Sequence, residues 1–388
     1  GAEPTSGMAR ERTSSGATVT TGGTGFGVMA MTVAAERGFV TRSEACQRVQ
    51  RIVTFLAERA TSYHGAFSHW IDGQTGQTLP FSADDNGADL VETGLLFQGL
   101  LTARAYFDGA DAAESKLRAD ITALWEAVEW DFFTKEGTEK VLYWHWSPDK
   151  GWAMNMPIQG WNEALIVYVL AASSPTHPIG REVYAEGWAR GGAMRNGKLF
   201  YDTVLPLGED YGGPLFWAQY SFLGLNPRGL SDAYADYWEQ VCNHTRINYA
   251  YCVDNPKGYA GYGADCWGLT ASDIPDGYTA SSPTNDRGVI APTAALSSMP
   301  YTPDESMAAL RFFYYKLGDK LWSDYGFIDA FDLTTGWFDR GMHIAIDQGP
   351  IVVMIENYRT GLPWNLFMSD KDVQRGLAEL GFTVEAGS

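Results

Sequence analysis

The 388-residue chain carries 28 Lys and Arg against 47 Asp and Glu, a net charge of -19, and that field disfavours nucleic acid and anionic membranes while admitting a neutral or cationic partner. No run of about 18 apolar residues is present, so membrane insertion is not expected. Aromatic residues reach 14%, with 14 Trp and 20 Tyr; core packing explains more than half of them, and the excess suits stacking against the apolar faces of sugars.

In chain order, Gly1 to Gly7 reads as a loop, and its composition is compatible with a leader removed upstream, which leaves export open. Gly22, Gly23, Gly25 and Gly27 follow no strand pattern, so a phosphate cradle is not expected. Thr41-Arg-Ser-Glu44 has the form of a capping box ahead of Cys46, Val49, Ile52, Val53 and Leu56 at helical spacing. The same reading predicts helices over 26–37, 41–60, 88–107, 112–130, 161–172, 231–251, 304–317 and 348–358, with short strands within loops such as 140–146. Long aromatic and Gly-rich connections lie between them at 63–85, 132–160, 199–214 and 255–292, and loops of that length are usually functional. No linker divides the chain, so a single domain over 1–388 is expected. Paired helices joined alternately by short turns and long loops predict an all-α toroid of the (α/α) type, with the loops forming a groove at one end. Of the four cysteines, Cys252 and Cys266 are the expected disulfide and Cys46 a buried free thiol. Cys242, Cys252 and Cys266 lack paired zinc spacing.

Two acidic features carry the candidate chemistry. Glu163 is the only carboxylate between Lys150 and Arg181 and heads the apolar run Ala164 to Ala172; burial there would raise its pKa, as a general acid requires. The alternative places Glu163 in a first helical turn, bonded to free amides, with the opposite pKa shift. Asp84, Asp85, Asp89 and Glu92 crowd the approach to another apolar helix. If that helix begins early, Asp85, Asp89 and Glu92 share one face; Asp84 or Asp85 as the N-cap, with Asp89 and Glu92 in structural roles near the helix start, is the alternative, and it fits Asp84 best. Asp347 is a third candidate, with Pro350 pointing to a capping role instead. Glu356 is expected to pair with Arg359 or Arg311. The six histidines show no HExxH or HxH spacing, and no GxSxG elbow or P-loop is present. His145, within Tyr143-Trp-His-Trp146, suits either a sugar subsite or a hydrogen-bonded loop histidine. One isolated acid and one acidic cluster point to a glycosidase.

Longer blocks carry a resemblance: Ser6-Gly-Met-Ala-Arg-Glu-Arg12, Ala88-Asp-Leu-Val-Glu-Thr93, Gly160-Trp-Asn-Glu163, Tyr220-Ser-Phe-Leu-Gly-Leu225, Cys266 to Asp273, Ala291 to Pro300 and Ile346 to Tyr358. Over nearly its whole length the chain resembles the glycoamylase-like family, more narrowly glycoside hydrolase family 144, the bacterial β-1,2-glucanases. The resemblance implies an (α/α)6 barrel, β-1,2-glucan (sophoro-oligosaccharides and longer chains) as substrate, hydrolysis with inversion and a periplasmic or secreted location. It places the family's essential Glu on Glu163 and its acidic set on Asp85, Asp89 and Glu92. Family members normally carry an aromatic-rich helix before the block that begins at Ser6, and its absence from this chain puts the count of twelve helices in question.

The expected chemistry is proton donation by Glu163, with one of Asp85, Asp89 or Glu92 activating water on the opposite face. Trp144, Trp146, Trp161, Tyr262 and Trp267 are the expected stacking residues, and Arg12 and His145 the polar ones. No cofactor or metal is expected, although the Asp85 cluster offers a lesser cation-binding alternative. A monomer acting on a neutral glucan or oligosaccharide is the expected form. The alternatives are a glycosidase or transglycosylase for another β-glucan, a glycan-binding protein without catalysis, and a polysaccharide lyase, which the acidic balance opposes.

Overall fold

The computed structural model describes residues 1–385. Its helices are α1 (Thr21–Glu36), α2 (Arg42–Glu58), α3 (Leu90–Tyr106), α4 (Ala112–Glu126), α5 (Leu165–Ser173), α6 (Tyr237–Asp254), α7 (Pro292–Leu296), α8 (Pro303–Tyr315), α9 (Gly318–Leu321), α10 (Ala345–Arg359), α11 (Leu362–Met368) and α12 (Lys371–Leu380). They form a two-layered helical toroid of the (α/α)6 type, decorated by short antiparallel strand pairs within the loops.

Burial separates the layers. Helix α5 is buried at every position, and α3 at all but Arg104 and Ala105, the signature of a helix apolar all round and enclosed on every side. Helix α1 packs against α3 and α10, and α3 also against α5 and α11. The outer α2 buries Ala45, Cys46, Val49, Ile52, Val53, Phe55 and Leu56 as a stripe, and its predicted capping box is present, Thr41 Oγ1 accepting from the Glu44 amide at 3.2 Å while Glu44 accepts from the Thr41 amide at 2.9 Å.

The glycine-rich stretch is the first turns of α1, five residues ahead of the predicted start. A Cβ on Gly25 would lie 2.2 Å from the Leu95 carbonyl oxygen, and one on Gly99 would lie 2.1 Å from that of Gly25. Glycine is therefore what lets α1 and α3 meet backbone to backbone. Three other expectations are corrected. All four cysteines are buried free thiols, so Cys252 and Cys266 are not bonded. Glu356 pairs with Arg37 through two hydrogen bonds of 2.8 Å, rather than with Arg359 or Arg311. The strand predicted over 140–146 shortens to His145–Trp146. Among the described residues no helix is long and apolar enough to cross a membrane.

Candidate active site

Glu163 lies in the turn before α5. Ser221 fixes its backbone: the hydroxyl donates to the Glu163 carbonyl and accepts from the Ile166 amide at 3.0 Å, so a side chain from elsewhere satisfies the helix start. The residue is half-buried and its carboxyl is surrounded by protein. Burial raises the carboxyl to about 7, and the nearby charges of Asp89 and Glu92 add to the rise. The amide-bonded alternative predicted the opposite direction.

The acidic set converges by a different route from the one predicted. Helix α3 begins only at Leu90, and Asp89 is its N-cap, accepting from the Val91 and Glu92 amides at 3.0 and 2.9 Å. A strand pair, Ala88–Asp89 with His145–Trp146, brings His145 beside the cluster. Asp85 lies in the preceding loop with its Oδ2 3.4 Å from His145 Nε2. Glu92 Oε2 accepts from the Gly22 amide at 2.6 Å and the Thr20 hydroxyl at 3.4 Å, so the N-terminus of α1 points at it. Asp84 is exposed and pairs with Lys150 at 2.8 Å.

His69, which no sequence pattern singled out, sits among the three acids. Its Nδ1 is 3.1 Å from Asp89 Oδ2 and its Nε2 3.9 Å from Glu92 Oε1. Burial opposes its charge, but Glu92, Asp89 and Asp85 outweigh that and lift it to about 9. One imidazolium is thus held by three carboxyls. Burial and Asp89 raise Asp85 to about 7; burial also raises Glu92, while the His69 and His145 contacts hold Asp89 low against its burial. Burial keeps His145 low, and its Nδ1 has no partner.

A second acidic group was visible in the sequence only through Asp347. Asp347 lies in the first turn of α10 but does not cap it; its Oδ1 accepts from the Tyr220 hydroxyl at 3.2 Å. Asp273, Asp329 and Asp339 converge beside it from a hairpin and two loops. Arg12 Nη1 binds Asp273 Oδ2 at 2.8 Å, while its Nε faces Glu11. Arg12 therefore serves this group, away from His69. Burial raises Asp347 and Asp339 to about 7 and Asp329 well above the usual carboxylate range. Tyr220 and Ser221 are adjacent, so one short segment holds the Asp347 carboxyl and the Glu163 backbone.

Two expected stacking residues are structural. Trp267 is fully buried and donates to the Glu305 carbonyl at 3.2 Å; Trp161 is 4% exposed, packs on Phe222 and donates to His244 at 3.3 Å. A long aromatic run in the sequence does not tell which rings face outward. Tyr262 is part-buried with its hydroxyl bound to Asp286 at 2.8 Å. Trp144 and Trp146 remain half-exposed, Trp144 stacked beside His145 and Trp146 beside His64 and Phe132. His69, Asp85 and Asp89, and separately Asp273, Asp329 and Asp339, hold ligand atoms within 4.8 Å of one another. In the first group the imidazolium supplies the counter-charge that a cation would bring.

A half-buried glutamate whose carboxyl is raised to about 7 by its surroundings, with acidic groups near it inside a helical toroid, fits a glycosidase-type site. The chain belongs to the glycoamylase family, whose model, described as "Putative glucoamylase", matches residues 155–371. Within it the chain groups with the β-1,2-glucanases of glycoside hydrolase family 144. It is 47% identical over 401 residues to an exo β-1,2-glucooligosaccharide sophorohydrolase (non-reducing end) of Parabacteroides distasonis, covering 98% of this chain and 55% of that protein. The chain thus spans about half the length of that curated relative. The endo-β-1,2-glucanase of Chitinophaga pinensis, solved with sophorotriose and glucose, superposes with a TM-score of 0.96 at 52% identity, covering 98% of this chain and 94% of that one. An endo-β-1,2-glucanase of Talaromyces funiculosus with sophorose shares the fold alone, at a TM-score of 0.70 and 12% identity over 98% of this chain and 85% of that one.

Proposed function

We propose that this protein hydrolyses β-1,2-linked glucan, with Glu163 as the proton donor to the departing glycosidic oxygen. The observation that carries the reading is the Glu163 carboxyl, held near 7 by burial with the charges of Asp89 and Glu92 beside it, so that a substantial fraction is protonated at neutral pH. Sophoro-oligosaccharide chemistry is supported by the names of the relatives above 45% identity. A periplasmic or secreted location belongs to the same reading.

The carboxylate that activates water is chosen by elimination. Asp89 is tied to two amides and His69, and Glu92 to Gly22 and His69; their work is to keep Glu163 protonated and to hold His69. Asp347 shares the 220–221 segment with Glu163, and its Oδ1 accepts only from the Tyr220 hydroxyl, which leaves that oxygen a lone pair for water. We assign water activation to Asp347. The C1–O bond breaks as Glu163 gives its proton to the leaving oxygen; water bonds to C1 and gives a proton to Asp347. A second reading, favoured by the rise of Asp85 to about 7 beside His145, gives Asp85 that role.

Product analysis on linear β-1,2-glucan, with the first-formed anomer followed by NMR, tests the reading. Release of sophorose or longer sophoro-oligosaccharides as the α-anomer is expected for inversion. The β-anomer would replace inversion by a covalent intermediate. No sugar release above background would leave a glycan-binding protein. Asp347→Asn and Asp85→Asn, compared for turnover, separate the two bases.

A further inference from the structure

Each carboxyl of the Asp329–Asp347 pair has one oxygen served by a donor and one bare. Asp329 Oδ2 accepts from the Asp273 amide at 2.8 Å, and Asp347 Oδ1 accepts from the Tyr220 hydroxyl at 3.2 Å. Asp329 Oδ1 and Asp347 Oδ2 have no partner, although each residue is only 1% exposed. The two carboxyls lie within hydrogen-bonding reach of each other. Two bare carboxylate acceptors in one buried site repel unless a donor stands between them. An ionised carboxylate accepts only, whereas a protonated one also donates.

We propose that Asp329 and Asp347 share one proton, carried on Asp329 Oδ1 and donated to Asp347 Oδ2, and that Asp329 is the positioning residue that keeps Asp347 oriented and anionic. The inference rests on the assignment of water activation to Asp347. One proton satisfies both bare oxygens and removes one of two charges that would otherwise stand side by side. The surroundings favour this placement. Arg12, Asp273 and Tyr220 face Asp347, Tyr278 lies close to it, and Asp273 and Asp339 add negative charge on the Asp329 side. Tyr220 hydrogen-bonds the Asp347 anion directly, whereas the Asp329 carboxyl has only the Asp273 amide. The proton therefore resides on Asp329.

The substitution pair Asp329→Asn and Asp329→Ala tests this through the pH dependence of kcat/KM on β-1,2-glucan. The Asp273 amide selects the orientation of an asparagine: its oxygen takes that hydrogen bond and its NH2 faces Asp347, as the proton does in the native protein. D329N should therefore keep the native acid limb. D329A removes the donor, and the acid limb should move up by about one to two pH units, as expected for loss of a hydrogen bond to a charged group. An unmoved limb in folded D329A, or equal limbs in the two variants, overturns the proposal. Binding of calcium or magnesium to the native protein that is lost in D329N also overturns it, since an ion would then stand where the proton is placed. D347N separates the two assignments: if D347N keeps native turnover, the base assignment fails. If D347N is inactive while the D329A limb stays in place, the base assignment stands and the shared proton falls.

Discussion

Glu163→Gln should remove catalysis while making the fold more robust at alkaline pH. The carboxyl accepts no hydrogen bond from another residue's amide, and glutamine has nearly the same shape, so the change deletes a proton and a charge and leaves the packing. Loss of a general acid lowers the rate by roughly 10² to 10⁴, equivalent to about 3 to 5 kcal/mol of barrier. The stability effect follows from the rise of Glu163 from 4.5 to about 7. A raised group binds its proton more tightly in the folded chain than in the unfolded one. Its full contribution is present below about 4.5, and stability is lost as pH climbs from there through about 7. At 1.36 kcal/mol per pKa unit, a rise of about 2.5 units corresponds to about 3 kcal/mol of native-state destabilisation at pH 8. Glutamine does not titrate, so E163Q should unfold at a higher temperature than the native protein at pH 8, and at nearly the same temperature at pH 4. Reducing-sugar release and thermal melts at the two pH values read both effects. Near-native turnover in E163Q, or a melting difference independent of pH, would refute the placement of a buried, protonated Glu163.

Gly99→Ala should be among the most damaging small substitutions, because its Cβ would lie 2.1 Å from the Gly25 carbonyl oxygen; a loss of about 3 kcal/mol or more is expected in denaturant melts. Trp267→Ala should cost about 3 to 5 kcal/mol of stability with KM unchanged in the folded fraction. Trp144→Ala should leave the melt nearly intact and raise KM for β-1,2-glucan, the split expected of a half-exposed ring that stacks on sugar. His69→Gln replaces an imidazolium by a neutral side chain beside Asp85, Asp89 and Glu92. Those acids should then hold protons to higher pH, which removes the charges that help raise Glu163, and the basic limb of the rate profile should shift downward.

The helices were legible because their signals are local. The Thr41 capping box, the stripe on α2, the largely apolar α3 and the apolar run of α5 each lie within one segment, where periodicity and end chemistry operate. The glycines opening α1 misled because their helical state is imposed by contact with Leu95 and Gly99, more than seventy residues away. Helices α11 and α12 were not anticipated, although α12 begins at a working Asp370 cap. At the site, Glu163 and the 85–92 acids stood out as charges in apolar sequence. His69 did not, since a lone histidine beside Trp70 has no pattern. Asp273 belongs to a hairpin and Asp329 and Asp339 to two separate loops, and their meeting depends on how the hairpin at 271–280 folds over the barrel. Trp161 and Trp267 look like binding residues in the sequence and are buried in the fold, because sequence records ring chemistry and is blind to which side of a loop is covered.

The Tyr220–Ser221 pair has an implication for altering this protein. Its two adjacent hydroxyls tie Glu163 through its main chain and Asp347 through its carboxyl, so their relative placement runs through one peptide unit buried in the barrel wall. The long surface loops can then be lengthened, shortened or exchanged without retuning that spacing. The segments around 80–87 and 146–152 are strapped together separately, by Lys150 to Asp84 and Asn86 to Asp149, which leaves residues 220 and 221 as the fixed gauge.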